Sequence, residues 1–124
     1  MEQKFFICKT CGNIIAMVKE SGVPVECCGE PMQELVPGTV DASREKHVPV
    51  YEVENGKVCV QIGAEEHPMV EKHFIEWISL QTNKGVQCKH LCPGEKPCAS
   101  FCICEDEQVE AVYAYCNIHG LWKK

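Results

Sequence analysis

Val48-Pro49-Val50-Tyr51-Glu52-Val53-Glu54-Asn55-Gly56-Lys57-Val58-Cys59-Val60-Gln61-Ile62 decides the fold. Two β-branched, alternating runs flank Glu54-Asn55-Gly56-Lys57, and Asn-Gly between such runs is a strong hairpin signal. The pattern continues on the C-terminal side. His73-Phe74-Ile75-Glu76-Trp77-Ile78-Ser79-Leu80, Val86 to Leu91, Ala99 to Cys104 and Val109 to Tyr115 read as further strands. Polar or Pro/Gly turns separate them: Asn83-Lys84-Gly85, Pro93-Gly94-Glu95-Lys96-Pro97 and Glu105-Asp106-Glu107-Gln108. No stretch carries a helical period. Six or seven short strands at this spacing predict a mainly β chain built on an immunoglobulin-like antiparallel sandwich.

On the N-terminal side the composition changes at Leu35-Val36-Pro37-Gly38-Thr39, where Pro and Gly end pairing. Residues 1–37 then form a small domain and residues 38–124 the sandwich. The small domain holds Cys8-Lys9-Thr10-Cys11-Gly12 and Cys27-Cys28-Gly29. Cys-x-x-Cys followed by Gly is a metal knuckle, with two thiolates on one ion and backbone N–H groups aimed at the sulfurs. The adjacent Cys27 and Cys28 cannot repeat that knuckle and predict a distorted tetrahedron. From spacing alone, zinc and iron are both open, and either would staple a segment too small to fold by its core.

Eleven cysteines in 124 residues is heavy usage. Only Phe5-Phe6-Ile7 separates the charged N-terminus from the first cysteine, too short for a signal-peptide core or a membrane span. The expected location is therefore the cytoplasm, where thiols serve metals more often than disulfides. A net charge of -6 argues against a general nucleic-acid or membrane-surface binder, which needs a basic face.

A second constellation lies in the sandwich. Tyr115-Cys116-Asn117-Ile118-His119-Gly120-Leu121-Trp122 sets a thiol and an imidazole three positions apart in a tight loop. His47 opens the first strand, while His67 and His73 flank a loop, and loops cluster at the ends of a sandwich. Together these residues predict a His/Cys metal site there. His90 has no motif around it and reads as a solvated strand residue.

Glu45-Lys46-His47-Val48-Pro49, His67-Pro68-Met69 with Glu71-Lys72-His73, Ile75-Glu76-Trp77-Ile78, and Cys116-Asn117-Ile118-His119-Gly120-Leu121-Trp122 resemble the iron-site motifs of the superoxide reductases. The Cys8/Cys11/Cys27/Cys28 set resembles the desulforedoxin segment of the two-iron subgroup, the desulfoferrodoxins. The resemblance implies two irons per chain, one in a rubredoxin-type four-cysteine centre where zinc is also possible. The other would have His47, His67, His73 and His119 as equatorial ligands and Cys116 as the axial thiolate. It implies Glu45 as a sixth ligand in the ferric state and Lys46 as the lysine poised over that position. Arg44, Lys72, Lys123 and Lys124 would add a local cationic rim. The activity implied is one-electron reduction of superoxide to hydrogen peroxide, with rubredoxin or a similar donor and a homodimeric assembly. The competing functions are a zinc-stapled binding module and a pure electron carrier.

Six cysteines fall outside these motifs: Cys59, Cys88, Cys92, Cys98, Cys102 and Cys104. Cys88-x3-Cys92 and Cys98-x3-Cys102-x-Cys104 leave a third metal site or a redox disulfide open, but Phe101-Cys102-Ile103-Cys104 reads as a buried strand, which favours the extra thiols as small apolar fillers.

Overall fold

The computed structural model describes residues 2–124. The chain forms two compact units, one running to Val36 and the other from Pro37 to Lys124.

The first unit contains β1 (Lys4–Ile7), β2 (Ile14–Met17), β3 (Glu26–Cys27), β4 (Glu30–Pro31) and β5 (Gln33–Glu34). A three-stranded sheet has the order β2-β1-β5, and β3 and β4 form a separate hairpin. Among its described residues only Phe5, Cys8 and Met32 are buried hydrophobics. Three side chains of roughly 1.5–3 kcal/mol each are a thin core for a unit of this size.

The second unit contains a single helical turn, α1 (Arg44–His47), then β6 (Pro49–Glu54), β7 (Lys57–Ile62), β8 (Ile75–Thr82), β9 (Gly85–His90), β10 (Cys98–Cys102), β11 (Val109–Cys116) and β12 (Gly120–Lys123). Two antiparallel sheets, β10-β7-β6 and β12-β11-β8-β9, pack as a sandwich. Val58, Val60 and Ile62 on β7 and Phe101 on β10 meet Ile78 and Leu80 on β8 and Val112 and Ala114 on β11. The β6-β7 hairpin forms as expected, with Asn55 at φ 49° and Gly56 at φ 74°. Positive φ at both central residues is what a type I′ turn requires.

Four expectations need correction. His47 ends α1 rather than opening a strand, because Val48 N–H donates to the Arg44 carbonyl (2.9 Å) and closes one helical turn. A single turn is too short to show a period. β8 begins at Ile75, two residues after His73, which instead pairs with Val70 in an isolated bridge. The C-terminal loop continues into a strand, β12, paired with β11. The six extra thiols are all exposed, so they are not fillers. The period of two explains this: Val58, Val60 and Phe101 point into the core, which turns Cys59, Cys98 and Cys102 outward. No helix among the described residues is long and apolar enough to cross a membrane.

Candidate metal centres

In the first unit, the four sulfurs of Cys8, Cys11, Cys27 and Cys28 lie within 4.8 Å of one another. Cys8 and Cys11 come from the turn after β1, closed by Gly12 N–H donating to the Cys8 carbonyl at 2.9 Å. Cys27 ends β3, and Cys28 takes φ 54°. Consecutive side chains of an extended strand point to opposite sides, so the left-handed Cys28 is what lets neighbouring thiols share one site. The Cys11 and Cys27 sulfurs are 3.6 Å apart. Sulfurs bonded at about 2.3 Å to one tetrahedral ion stand roughly 3.8 Å apart, so the cluster fits a metal.

Its electrostatics agree. The Cys11 backbone N–H lowers the Cys8 thiol to about 6, whereas the neighbouring Cys11 and Cys8 thiols push Cys28 up to about 12. One thiolate forms readily and the last resists; a cation at the centre removes that resistance.

In the second unit, His47, His67, His73 and Cys116 present donor atoms within 4.8 Å of one another. His119 joins them, with Nδ1 3.0 Å from His47 Nε2 and 3.9 Å from Cys116 Sγ. The four imidazoles form a closed square. Neighbouring ring centroids are 4.7 Å apart for His47–His67 and His67–His73, 5.1 Å for His73–His119 and 4.8 Å for His119–His47. Across the diagonal, His47 and His73 are 6.4 Å apart. Each adjacent pair meets nearly edge-on, at 77° to 84°. Cys116, fully buried at the end of β11, is within reach of all four nitrogens and accepts the His119 backbone N–H at 3.5 Å.

The hydrogen bonds fix which nitrogens face inward. His47 Nδ1–H donates to the Ser43 carbonyl (2.6 Å) and His67 Nδ1–H to the Pro68 carbonyl (2.7 Å), leaving both Nε2 lone pairs bare. The buried His73 Nε2 has no hydrogen-bond partner. Burial is the leading cause that lowers His47 and His73, and it takes His67 to about 4, so neutral imidazole prevails near pH 7. Burial raises the Cys116 thiol, which therefore needs a cation to ionise. Four neutral nitrogens and one sulfur, aimed at a common point, fit a transition-metal ion.

A shell of further side chains supports this set. The Asn117 amide brackets His73: Oδ1 accepts the Phe74 N–H and Nδ2 donates to the Lys72 carbonyl, both at 3.0 Å. Trp122 lies 4.9 Å from the His47 ring and donates through Nε1 to the His119 carbonyl at 3.1 Å. Asn117 and Trp122 were visible in the sequence only as members of a motif; nothing there gave them partners. Gly63 carried no signal beyond an isolated glycine after a strand. A Cβ added to it would stand 2.2 Å from the Glu65 carbonyl oxygen and 2.6 Å from that of Lys46.

Glu45 and Lys46 are exposed on α1, immediately before His47. The Ser43 hydroxyl donates to Glu45 Oε2 at 2.6 Å and is the leading cause that lowers this carboxyl. The charge of Lys46 contributes to lowering both His47 and His73, so it is felt at the square. His90 ends β9, exposed and outside the cluster.

The family model for desulfoferrodoxin matches residues 39–124. The desulfoferrodoxin of Syntrophotalea carbinolica is 46% identical over 115 residues, covering 93% of this chain and 90% of that protein. The desulfoferrodoxin of Nitratidesulfovibrio vulgaris is 43% identical over 122 residues, 98% and 95% of the two chains. The solved superoxide reductase of Treponema pallidum superposes with a TM-score of 0.85 at 38% identity, covering 100% of this chain and 99% of that one. The superoxide reductase of Giardia intestinalis matches 64% of this chain and 95% of its own, with a TM-score of 0.55 and 37% identity. Relatives nearly coextensive with the chain, and a family match spanning almost all of the histidine-bearing unit, show that this chain belongs to the desulfoferrodoxin family.

Proposed function

We propose that this protein is a superoxide reductase, converting superoxide to hydrogen peroxide with one electron and two protons. The observation that carries this reading is the closed square of His47, His67, His73 and His119 with buried Cys116 in reach of all four. These five residues would hold a ferrous ion, which when bound would supply the electron.

The chain's own residues do the rest. Four neutral imidazoles and the Cys116 thiolate would give the ligand set a single negative charge, and the thiolate would donate electron density to a metal held there. Lys46 draws the anionic substrate toward the face beside α1 and orders water for the two proton transfers. Glu45, whose carboxyl Ser43 holds below its usual value, would offer a carboxylate to the bound metal and help displace the product. Residues 1–37 act as a desulforedoxin-like domain and 38–124 as the catalytic domain. The thin apolar core of the first unit supports a stapling role for its four-cysteine iron. Rubredoxin or a similar small iron-sulfur protein returns the electron, and the working form is a cytoplasmic homodimer.

The test is metal analysis on protein purified without oxygen, followed by a superoxide pulse on the reduced form. Two irons per chain are expected, with one absorption band already present at the four-sulfur centre and a second appearing as superoxide is consumed. Peroxide forms without oxygen evolution. Oxygen release without consumption of a reductant would show a dismutase, and iron missing from the histidine site would leave a metal-stapled module. Zinc at the four sulfurs would keep the enzyme and reduce that centre to a staple.

A further inference from the structure

Three of the six extra thiols share the outward face of the β10-β7-β6 sheet. Cys59 stands opposite Ser100, Cys98 opposite Gln61 and Cys102 opposite Lys57. On the other side of β7, Glu52 of β6 stands opposite Cys59. Cys59 and Cys98 line one groove of about 580 Å³ together with Glu52, Gln61 and Ser100. The Ser100 hydroxyl donates to Cys59 Sγ at 3.8 Å.

The register decides what this pair can do. Cys59 and Cys98 are diagonal neighbours, one row apart, and diagonal positions on a sheet are roughly 7–8 Å apart, with β-carbons somewhat nearer. A disulfide needs β-carbons about 3.5–4.5 Å apart, so the pair does not close on itself. An ion between the thiols relaxes that limit: two metal–sulfur bonds of about 2.3 Å span roughly 4.6 Å, and each Sγ reaches one bond beyond its β-carbon.

We propose that this groove is a binding site for a soft, thiophilic cation, copper(I) foremost, held between Cys59 and Cys98. Soft thiolates select copper(I), whereas zinc in a structural site takes four ligands and the groove offers two thiols. Glu52 across the strand adds negative potential without entering the pair. The site is independent of the superoxide chemistry, since neither cysteine belongs to the two centres described above.

The experiment titrates copper(I) without oxygen into the iron-loaded chain, in competition with a chromophoric copper(I) chelator, while the iron absorption bands are followed. One tight equivalent per chain is expected, with both bands unchanged. Cys59→Ser and Cys98→Ser should each weaken it by about 100-fold or more, beyond the usual effect of a supporting residue, with superoxide reduction intact as proof of folding. Cys88→Ser, on the other sheet, should keep it. Three results overturn the proposal: no tight equivalent, equal weakening by Cys88→Ser, or copper uptake matched by loss of an iron band.

Discussion

The Nε2 atoms of His47 and His67 face each other across 3.2 Å, and each ring has already committed its Nδ1–H to a backbone carbonyl. Two bare lone pairs at that distance repel. Nitrogens bonded at about 2.1 Å to one ion at right angles lie roughly 3.0 Å apart, so an ion turns the repulsion into coordination. Removing the metal from the histidine site should therefore lower the thermal midpoint of the second unit, and reloading should restore it. Each 1 kcal/mol of binding linkage is worth about 4–8 °C in a domain of this size. Calorimetry before and after chelation checks it; equal midpoints would mean that the square is held without an ion.

Asn117 ties the loop of His73 to the loop of Cys116. Its amide and backbone N–H make three hydrogen bonds to Lys72 and Phe74. Asn117→Asp keeps the acceptor for Phe74 N–H but sets an oxygen against the Lys72 carbonyl. It should cost about 1–3 kcal/mol and slow superoxide reduction by about 10–100-fold, with a shifted sulfur-to-iron band. Rapid kinetics and the visible spectrum read both effects.

Lys46 is exposed beside the square, and its charge reaches His47 and His73. Lys46→Ala should slow the reaction most at low ionic strength and flatten its salt dependence, because screening acts on the attraction that the lysine supplies. An unchanged rate in dilute buffer would remove Lys46 from substrate capture.

Glu107 closes the turn between β10 and β11. Thr82 Oγ1–H donates to one carboxylate oxygen and Cys104 N–H to the other, and the Thr82 bond is the leading cause that lowers its pKa. A folded value below the unfolded one means stability that is present above about pH 4.3 and lost as pH falls through the folded value. Glu107→Gln should lower the midpoint near pH 7 and make it less sensitive to acid. Thermal melts from pH 7 to 3 on both proteins check the sign.

The strands were legible in the sequence because they rest on local signals, whereas the candidate ligand set came from its likeness to a family's motifs. Asn55-Gly56 announces its hairpin, and the period of two along Val58 to Ile62 announces its face. The same alternation places Cys59 outside, yet the weight given to cysteine as a buried residue outran it. His47 hid its helical turn because four residues hold no period. Asn117, Trp122 and Gly63 act through partners 45, 75 and 17 positions away in Lys72, His47 and Lys46, contacts that only the folded chain brings together.

Gly63 fixes the height of the turn that carries Glu45, Lys46 and His47. It sits at φ 83°, and the two carbonyl oxygens that a Cβ would strike, those of Glu65 and Lys46, both belong to backbone. Glu65 N–H also donates to the Glu45 carbonyl at 3.0 Å, so the turn cannot lift without breaking that bond. Gly63→Ala should cost more than the roughly 1–2 kcal/mol of left-handed strain and slow superoxide reduction, through displacement of Lys46 and His47. Gly56→Ala is the control. It also has positive φ, but its nearest neighbour is the Ile103 carbonyl at 3.3 Å, and it lies at the opposite end of the β6-β7 hairpin from Pro49 and Ile62. Gly63→Asn separates the causes, because Asn tolerates the backbone angle and still brings a Cβ. If Asn rescues the rate, strain alone is responsible; if Asn fails as Ala does while Gly56→Ala keeps full activity, the steric contact with the turn is what positions the site.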